Sequence, residues 1–261
     1  MNNEEIAQRY LLGENTFEIG RSLGVSHETI RRRLHDFGVI IRSRSLRQRK
    51  YDCNHFCFRD ITIESMYYAG LLMADGNIAI NKQMVQIEVV EKDKELVDGF
   101  KQFAEYTGIM ERRKRKQRSG KISQMVLLRI TSPQMVSDLS RFGVVPKKSY
   151  CAVAPEEIVQ HPFASFFFRG LFDGDGCVGI RRGKHSYGNK YSTFGGTPAL
   201  TSAFRKWCET TIGESGGISK RTETFWSVYF CHAATEKLCR SLYGDDRGMR
   251  LRRKWNLMMS A

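Results

Sequence analysis

The sequence predicts an α+β protein. A small all-helical unit over residues 1–41 precedes a duplicated body in which each copy reads helix, two strands, helix, two strands, helix. Three observations carry this. Tyr67-Tyr68-Ala69-Gly70-Leu71-Leu72-Met73-Ala74-Asp75-Gly76 is answered about a hundred residues later by Phe167-Phe168-Arg169-Gly170-Leu171-Phe172-Asp173-Gly174-Asp175-Gly176, with glycine, leucine, aspartate and glycine in register. Apolar residues alternate with polar ones after the first motif, the period of a half-buried strand. Before residue 41 the apolar spacing is instead that of short helices.

In the N-terminal unit, Ile6, Tyr10 and Leu11 share one face of a first helix. Asn15 or Thr16 can cap a second, whose apolar face is Phe17, Ile19 and Leu23. Gly24 ends it, and Ser26 caps a third helix carrying Ile30, Leu34 and Phe37 inward. Three short helices with a glycine turn before the third have the spacing of a helix-turn-helix. The stretch Phe17 to Leu34 resembles the DNA-binding unit of resolvase- and invertase-type recombinases. That resemblance turns His27, Glu28, Arg31 and Arg32 toward DNA, with His27, Arg31 and Arg32 as expected contacts. A generic three-helix bundle with a solvated basic face is the alternative. Residues 42–59 read as a basic linker, with Arg42, Arg44, Arg47, Arg49 and Lys50.

The body divides into a first repeat at 60–150 and a second at 151–261. Ile78 and Ile80, then Val85, Ile87 and Val89, alternate as strands do, and Asp93 is placed to cap the helix that follows. Ser132-Pro133 and Thr197-Pro198 are each a cap residue followed by proline at the first helical position. Ile122 to Ile130 and Phe225 to Cys231 are strand-like in content. Phe100, Phe103 and Gly108 correspond to Phe204, Trp207 and Gly213, and Phe142-Gly143 to Tyr243-Gly244.

Composition narrows the function. The 261 residues carry 42 Lys and Arg against 28 Asp and Glu, a net charge of +14, which calls for a polyanionic partner. The most apolar stretch, Phe163 to Phe172, is short and interrupted by Arg169, too little for a membrane span. The polar, acidic N-terminus does not read as a targeting peptide, so the expectation is a cytoplasmic, DNA-associated protein. Seven cysteines without regular spacing do not form a disulfide framework. Cys53, His55 and Cys57 lack the second ligand pair of a structural zinc site, and a half-buried loop is the preferred reading.

Taken as a helix, Ser65 to Asp75 places Met66, Gly70 and Ala74 on one face, and the second motif places Phe166, Gly170 and Gly174 there. Small residues four apart let two helix backbones approach closely. Tyr67 and Leu71, with Phe167 and Leu171, would face each repeat's own sheet. Two helices packed this way bring Asp75 and Asp175 together at helix C-termini, where the dipole disfavours negative charge by about 0.3–1 kcal/mol. Carboxylates ~5 Å apart add roughly 3 kcal/mol of repulsion at an effective dielectric near 20. A divalent cation relieves both, and carboxylate with water is the ligand set magnesium prefers. A calcium loop at Asp173-Gly174-Asp175-Gly176 is excluded, because its other ligands are missing.

These paired motifs resemble the signature helices of the LAGLIDADG homing endonucleases, in the single-chain, two-motif form. The resemblance spans roughly residues 55–261 and implies pseudo-two-fold αββαββα repeats whose strands form a saddle on double-stranded DNA. It implies a monomer that makes a metal-dependent staggered cut in a long asymmetric site, promoting intron or intervening-sequence homing. Carried over, Asp75 and Asp175 with the adjoining Gly76 and Gly176 would hold Mg2+ or another divalent cation such as Mn2+. Lys148 (with its neighbour Lys147 as the alternative) and Lys254 would be the active-site lysines. Two departures stand out: Met73 replaces the earlier acidic position that Asp173 keeps, and Arg169 replaces a small residue. Asp173 is expected to be dispensable.

DNA contacts are expected from basic clusters after equivalent elements. In the first repeat these are Arg113, Arg115 and Lys116, within the run Arg112 to Lys121. In the second they are Arg181, Arg182 and Lys184, with Lys190 nearby and Lys220 and Arg221 extending the set. A non-catalytic DNA-binding regulator and an intron RNA maturase share this fold and are the competing functions. An intein endonuclease is disfavoured, because residues 1–50 read as a helix-turn-helix and no splicing domain is expected beside the body.

Overall fold

The computed structural model describes residues 2–12, 14–39, 41, 51–116, 120–181 and 188–259. The chain divides into two units, Met1–Lys50 and Tyr51–Ala261. The basic run 42–50 and Arg118 lie outside the described residues.

The first unit has three helices: α1 (Asn3–Leu11), α2 (Thr16–Leu23) and α3 (His27–Asp36). Asn15, not Thr16, caps α2, in a reciprocal capping box with Glu18. Ser26 caps α3 through the Thr29 N–H. Gly24 takes the left-handed conformation that lets α2 stop and the chain turn, at φ 66°. Ile6, Ala7, Tyr10, Ile19, Ile30 and Leu34 form the core. Leu11, Phe17 and Phe37, expected inward, are instead exposed. Phe17 sits two residues before Ile19, on the opposite side of α2, and stacks on the His27 ring at 4.0 Å. Phe37 lies past the last turn of α3, where the chain leaves the helix.

The second unit holds both repeats. The first comprises α4 (Ile63–Asp75), β1 (Gly76–Ala79), β2 (Met84–Val90), α5 (Lys94–Phe103), β3 (Glu111–Lys116), β4 (Ile122–Thr131) and α6 (Pro133–Ser140). Two short helices, α7 (Lys148–Cys151) and α8 (Glu156–Gln160), lead to the second repeat. This comprises α9 (Ala164–Asp175), β5 (Gly176–Ile180), β6 (Lys190–Gly196), α10 (Pro198–Ile212), β7 (Gly217–Lys220), β8 (Trp226–Cys231) and α11 (Ala233–Tyr243), and α12 (Arg252–Met259) follows. Each repeat forms one antiparallel four-stranded sheet, ordered β1-β2-β4-β3 and β5-β6-β8-β7. The element order is the duplicated αββαββα of the sequence reading.

Val85, Ile87 and Val89 point into the core, while Gln86 and Glu88 between them occupy the open face of the first sheet. Ser132 and Thr197 cap their helices as expected, accepting from Met135 and Leu200. Asp93 does not. Its carboxylate takes a bidentate ion pair from Arg253 instead, at 2.5 and 2.7 Å. Ile80 also departs, because β1 ends at Ala79 and Ile80 opens a 3-10 turn. No helix among the described residues is long and apolar enough to cross a membrane.

The repeats meet through α4 and α9, backbone to backbone. A Cβ on Gly70 would sit 1.9 Å from the Phe167 carbonyl oxygen, and one on Gly170 would sit 2.0 Å from the Tyr67 carbonyl oxygen. The contact is reciprocal, as a pseudo-two-fold axis between the glycines requires. Met66, Leu71, Phe166 and Leu171 fill the core around it. Since the clash would be with backbone, rotamer changes cannot relieve it. Gly70→Ala and Gly170→Ala are each expected to destabilise the body by about 2–3 kcal/mol or more in urea unfolding. An unchanged midpoint for either would contradict the backbone contact.

Candidate active site

Asp75 and Asp175 are the last residues of α4 and α9, and the chain then enters β1 and β5 at Gly76 and Gly176. The two tips touch: a Cβ on Gly174 would lie 2.3 Å from the Ala74 Cβ and 3.1 Å from Asp75 Oδ2. Burial and then the facing Asp175 push the Asp75 carboxyl up to about 6. Asp175 is more open to solvent, but the protein packed around its carboxyl still raises it, opposed by Lys148 and Lys254. Asp175 opens into a cavity of about 540 Å³ that Lys148, Thr193, Arg221 and Ser227 also line.

The two lysines close the helix ends. Lys148 donates to the Ala74 carbonyl at 2.5 Å, and burial lowers its affinity for its proton while both aspartates oppose that. Lys254 is buried and donates to Phe172 O, Asp173 O and Gly176 O at 2.7, 2.7 and 2.5 Å. Burial brings it down to about 8. Lys148 thus meets the Ala74 carbonyl and Lys254 the Asp173 carbonyl, both in last turns that leave carbonyls without intrahelical partners. The Phe172 carbonyl is shared with the Gly176 N–H. The Gly176 carbonyl is directed to Lys254, so the carboxylate is the stronger metal ligand on that side.

Asp173, expected to be dispensable, is fully buried and accepts from Tyr67 Oη at 2.8 Å, from Tyr243 Oη and from the Leu251 N–H at 2.9 Å. Tyr67 therefore crosses to the other repeat rather than facing its own sheet. Arg169 is equally buried and donates to the carbonyls of Leu242, Asp245 and Arg247. Together they fix the turn between α11 and α12, the helix that carries Lys254. Nothing in the local sequence pattern signals these partners, which lie some seventy or more positions away.

The expected DNA contacts are scattered over several elements. Arg113 on β3 makes two 2.6 Å bonds to Glu88, and Arg115 approaches the same carboxylate at 3.7 Å. Lys116 is exposed at the end of β3. Lys220 lies over the Trp226 ring at 4.7 Å, Arg221 lines the cavity, and Arg181 donates to Cys231 Sγ at 3.2 Å. Arg182 and Lys184 lie outside the described residues. In the first unit, Arg31 and Arg32 are exposed on α3 while His27 is stacked under Phe17. The sequence reading missed Arg129, which pairs with Glu111 at 2.6 and 2.7 Å on the open sheet face. A charge inside the apolar run of β4 was the available signal. The Cys53–His55 pair is tied to the cap of α6, with His55 Nδ1 3.2 Å from Cys53 Sγ and 2.8 Å from Ser132 Oγ.

The donor set at the helix tips is hard oxygen from carboxylates and backbone carbonyls, which suits magnesium or manganese. Two carboxylates brought together at abutting helix C-termini are the observation that fits such an ion. Among the described residues no group of three or more histidine, cysteine or acidic side chains could enclose a metal. A cation here would therefore keep water in most positions.

Two predictions follow from these environments. The folded state holds the Asp75 proton more tightly than the unfolded chain, so this group favours folding at low pH and loses that contribution as pH rises through about 6. Asp75→Asn should therefore stabilise the protein at pH 7.5 by on the order of 1–2 kcal/mol, and the gain should vanish below pH 4. Thermal unfolding across pH checks this, and a gain independent of pH would refute it. Asp173→Ala leaves two buried hydroxyls and an N–H unpaired, so it should cost about 3 kcal/mol or more in chemical denaturation. An unaffected variant would return Asp173 to the dispensable class.

Residues 62–143 match the model of a family described as LAGLIDADG-like domain. No curated protein sequence matches the chain. Among solved structures, the homing endonuclease I-WcaI bound to its DNA recognition sequence is 11% identical over 79% of this chain and 91% of that one, with a TM-score of 0.57. Full-length DUF199/WhiA from Thermatoga maritima is 13% identical over 78% and 62%, at 0.49. The LAGLIDADG meganuclease I-AabMI bound to uncleaved DNA is 13% identical over 74% and 87%, at 0.46. Residues 62–143 thus match a LAGLIDADG-like domain, within a body that shares the fold of the homing endonuclease I-WcaI.

Proposed function

We propose that the chain is a metal-dependent, site-specific endonuclease that cuts both strands of double-stranded DNA with a stagger and serves the homing of an intron or intervening sequence. The observation that carries this reading is the pair of carboxylates at two abutting helix C-termini, where helix dipoles and mutual repulsion both oppose negative charge. A body that only bound DNA would gain stability by losing them.

Asp75 and Asp175 would hold Mg2+ or Mn2+, with Gly76 adjoining the first. Such an ion supplies an activated water and stabilises the leaving oxygen of a phosphodiester. Lys148 adds positive charge at the cavity mouth, on the side where Asp175 meets solvent. Lys254, held by backbone carbonyls, keeps the tip of α9 in position rather than carrying protons. The surplus of Lys and Arg draws the duplex to the body, and the N-terminal helices extend the contact through Arg31 and Arg32.

Selection of cleaved sites from a random duplex library with magnesium tests this reading, using the full chain. Asp75→Asn and Asp175→Asn should each lower double-strand cleavage by about a thousandfold or more while leaving DNA affinity within a few-fold. Binding without any cleavage by the unaltered chain would make it a regulator instead. Full cleavage by either variant would remove that aspartate from the site.

A further inference from the structure

The open faces of the two sheets are chemically unlike. In the first, strand register places Gln86 opposite Arg129, Glu88 opposite Leu127 and Glu111 opposite Leu127 from the other side. Arg113 and Arg115 lie on that face, joined by ion pairs to Glu88, and Arg129 is joined to Glu111, among the apolar Met84, Val90, Met125 and Leu127. Paired charged side chains therefore cross it, over the buried Met125 and Leu127.

The second sheet presents the opposite. Its open face consists of Cys177 and Gly179 on β5, Tyr191, Thr193 and Gly195 on β6, Ser227, Tyr229 and Cys231 on β8, and Gly217 and Ser219 on β7. No residue within the strands of that face is charged; its arginines, Arg181 bonded to Cys231 Sγ and Arg221 beside Thr193 and Ser227, lie just past the ends of β5 and β7. Three rings lie flat across glycines: a Cβ would meet Tyr191 at 2.6 Å from Gly179, Tyr229 at 2.1 Å from Gly217 and Phe225 at 2.5 Å from Gly195. Gly179 and Gly217 directly face these tyrosines across the ladder. The glycines let the rings lie down on the strands and form an apolar floor among hydroxyls.

We propose that the two halves of the DNA site are read by different chemistry, an inference that rests on the endonuclease reading. The first sheet takes a half-site containing G·C pairs, because arginine recognises guanine bidentately and a carboxylate accepts from the cytosine amino group. The second sheet takes a half-site rich in A·T pairs, with Thr193, Tyr191 and Tyr229 packing against thymine methyl groups. Its affinity comes from apolar contact more than from fixed hydrogen bonds.

The test begins with a site obtained by selection. Arg129→Ala and Tyr229→Ala, both surface changes, assign the halves: each should relax base preference in one half only, and not the same half. The unaltered chain is then given duplexes in which deoxyuridine replaces thymidine in one half at a time, which removes only methyl groups. Replacement in the half assigned to Tyr229 should weaken binding by on the order of fourfold per methyl removed, and replacement in the other half should change it little. Equal effects in both halves, or a G·C-rich half under Tyr229, would overturn the proposal while leaving the nuclease intact. Failure to select any site would overturn the endonuclease reading, and this inference with it.

Discussion

The contact of α4 with α9 through Gly70 and Gly170 brings backbone against backbone, and the chain then has no freedom over where Asp75 and Asp175 go. Both helices run on for five more residues and end side by side, Ala74 against Gly174. The carboxylates are thus neighbours because of a packing constraint five residues away. Larger side chains at either glycine would part the helices and the pair together. Stability of the interface and geometry of the site are in this sense one property.

Side-by-side helix ends accumulate negative charge from carboxylates and from carbonyls without helical partners. The fold answers with Lys148 and Lys254, but not symmetrically. Lys148 meets a single carbonyl and faces a cavity, whereas Lys254 is buried among several. The second arrangement needs α12 held in place, and the buried Asp173 and Arg169 hold the turn that leads into it. Met73, at the corresponding place in the first motif, is simply core. The two motifs have the same length and register, yet one carries a polar support that the other lacks. The sheet faces diverge in the same way, charged in one repeat and aromatic over glycine in the other.

Much of this was legible in the residues. The hundred-residue offset, the alternation of Val85, Ile87 and Val89, and the Ser-Pro and Thr-Pro caps gave the element order, because each rests on local geometry. The glycine pair and the two terminal aspartates were legible for the same reason, since helical spacing alone puts them on one face or at one end. What local pattern does not contain is the identity of distant partners. Asp93 looked like a helix cap until Arg253, 160 positions away, took its carboxylate. Asp173 looked spare because Tyr243 and Leu251 are brought to it only by the finished fold. Phe17 and Phe37 looked inward because apolar character was read without the angular position that decides which face a residue takes.

The claim on which the rest depends is that the paired carboxylates form a site for a divalent cation. Calorimetric titration of the full chain with Mn2+ in the absence of DNA addresses it directly. Saturable binding that weakens markedly in both Asp75→Asn and Asp175→Asn, while Asp98→Asn on the exposed side of α5 binds as the unaltered chain does, is the result this account predicts. Binding of equal strength in a chain carrying both substitutions would contradict it.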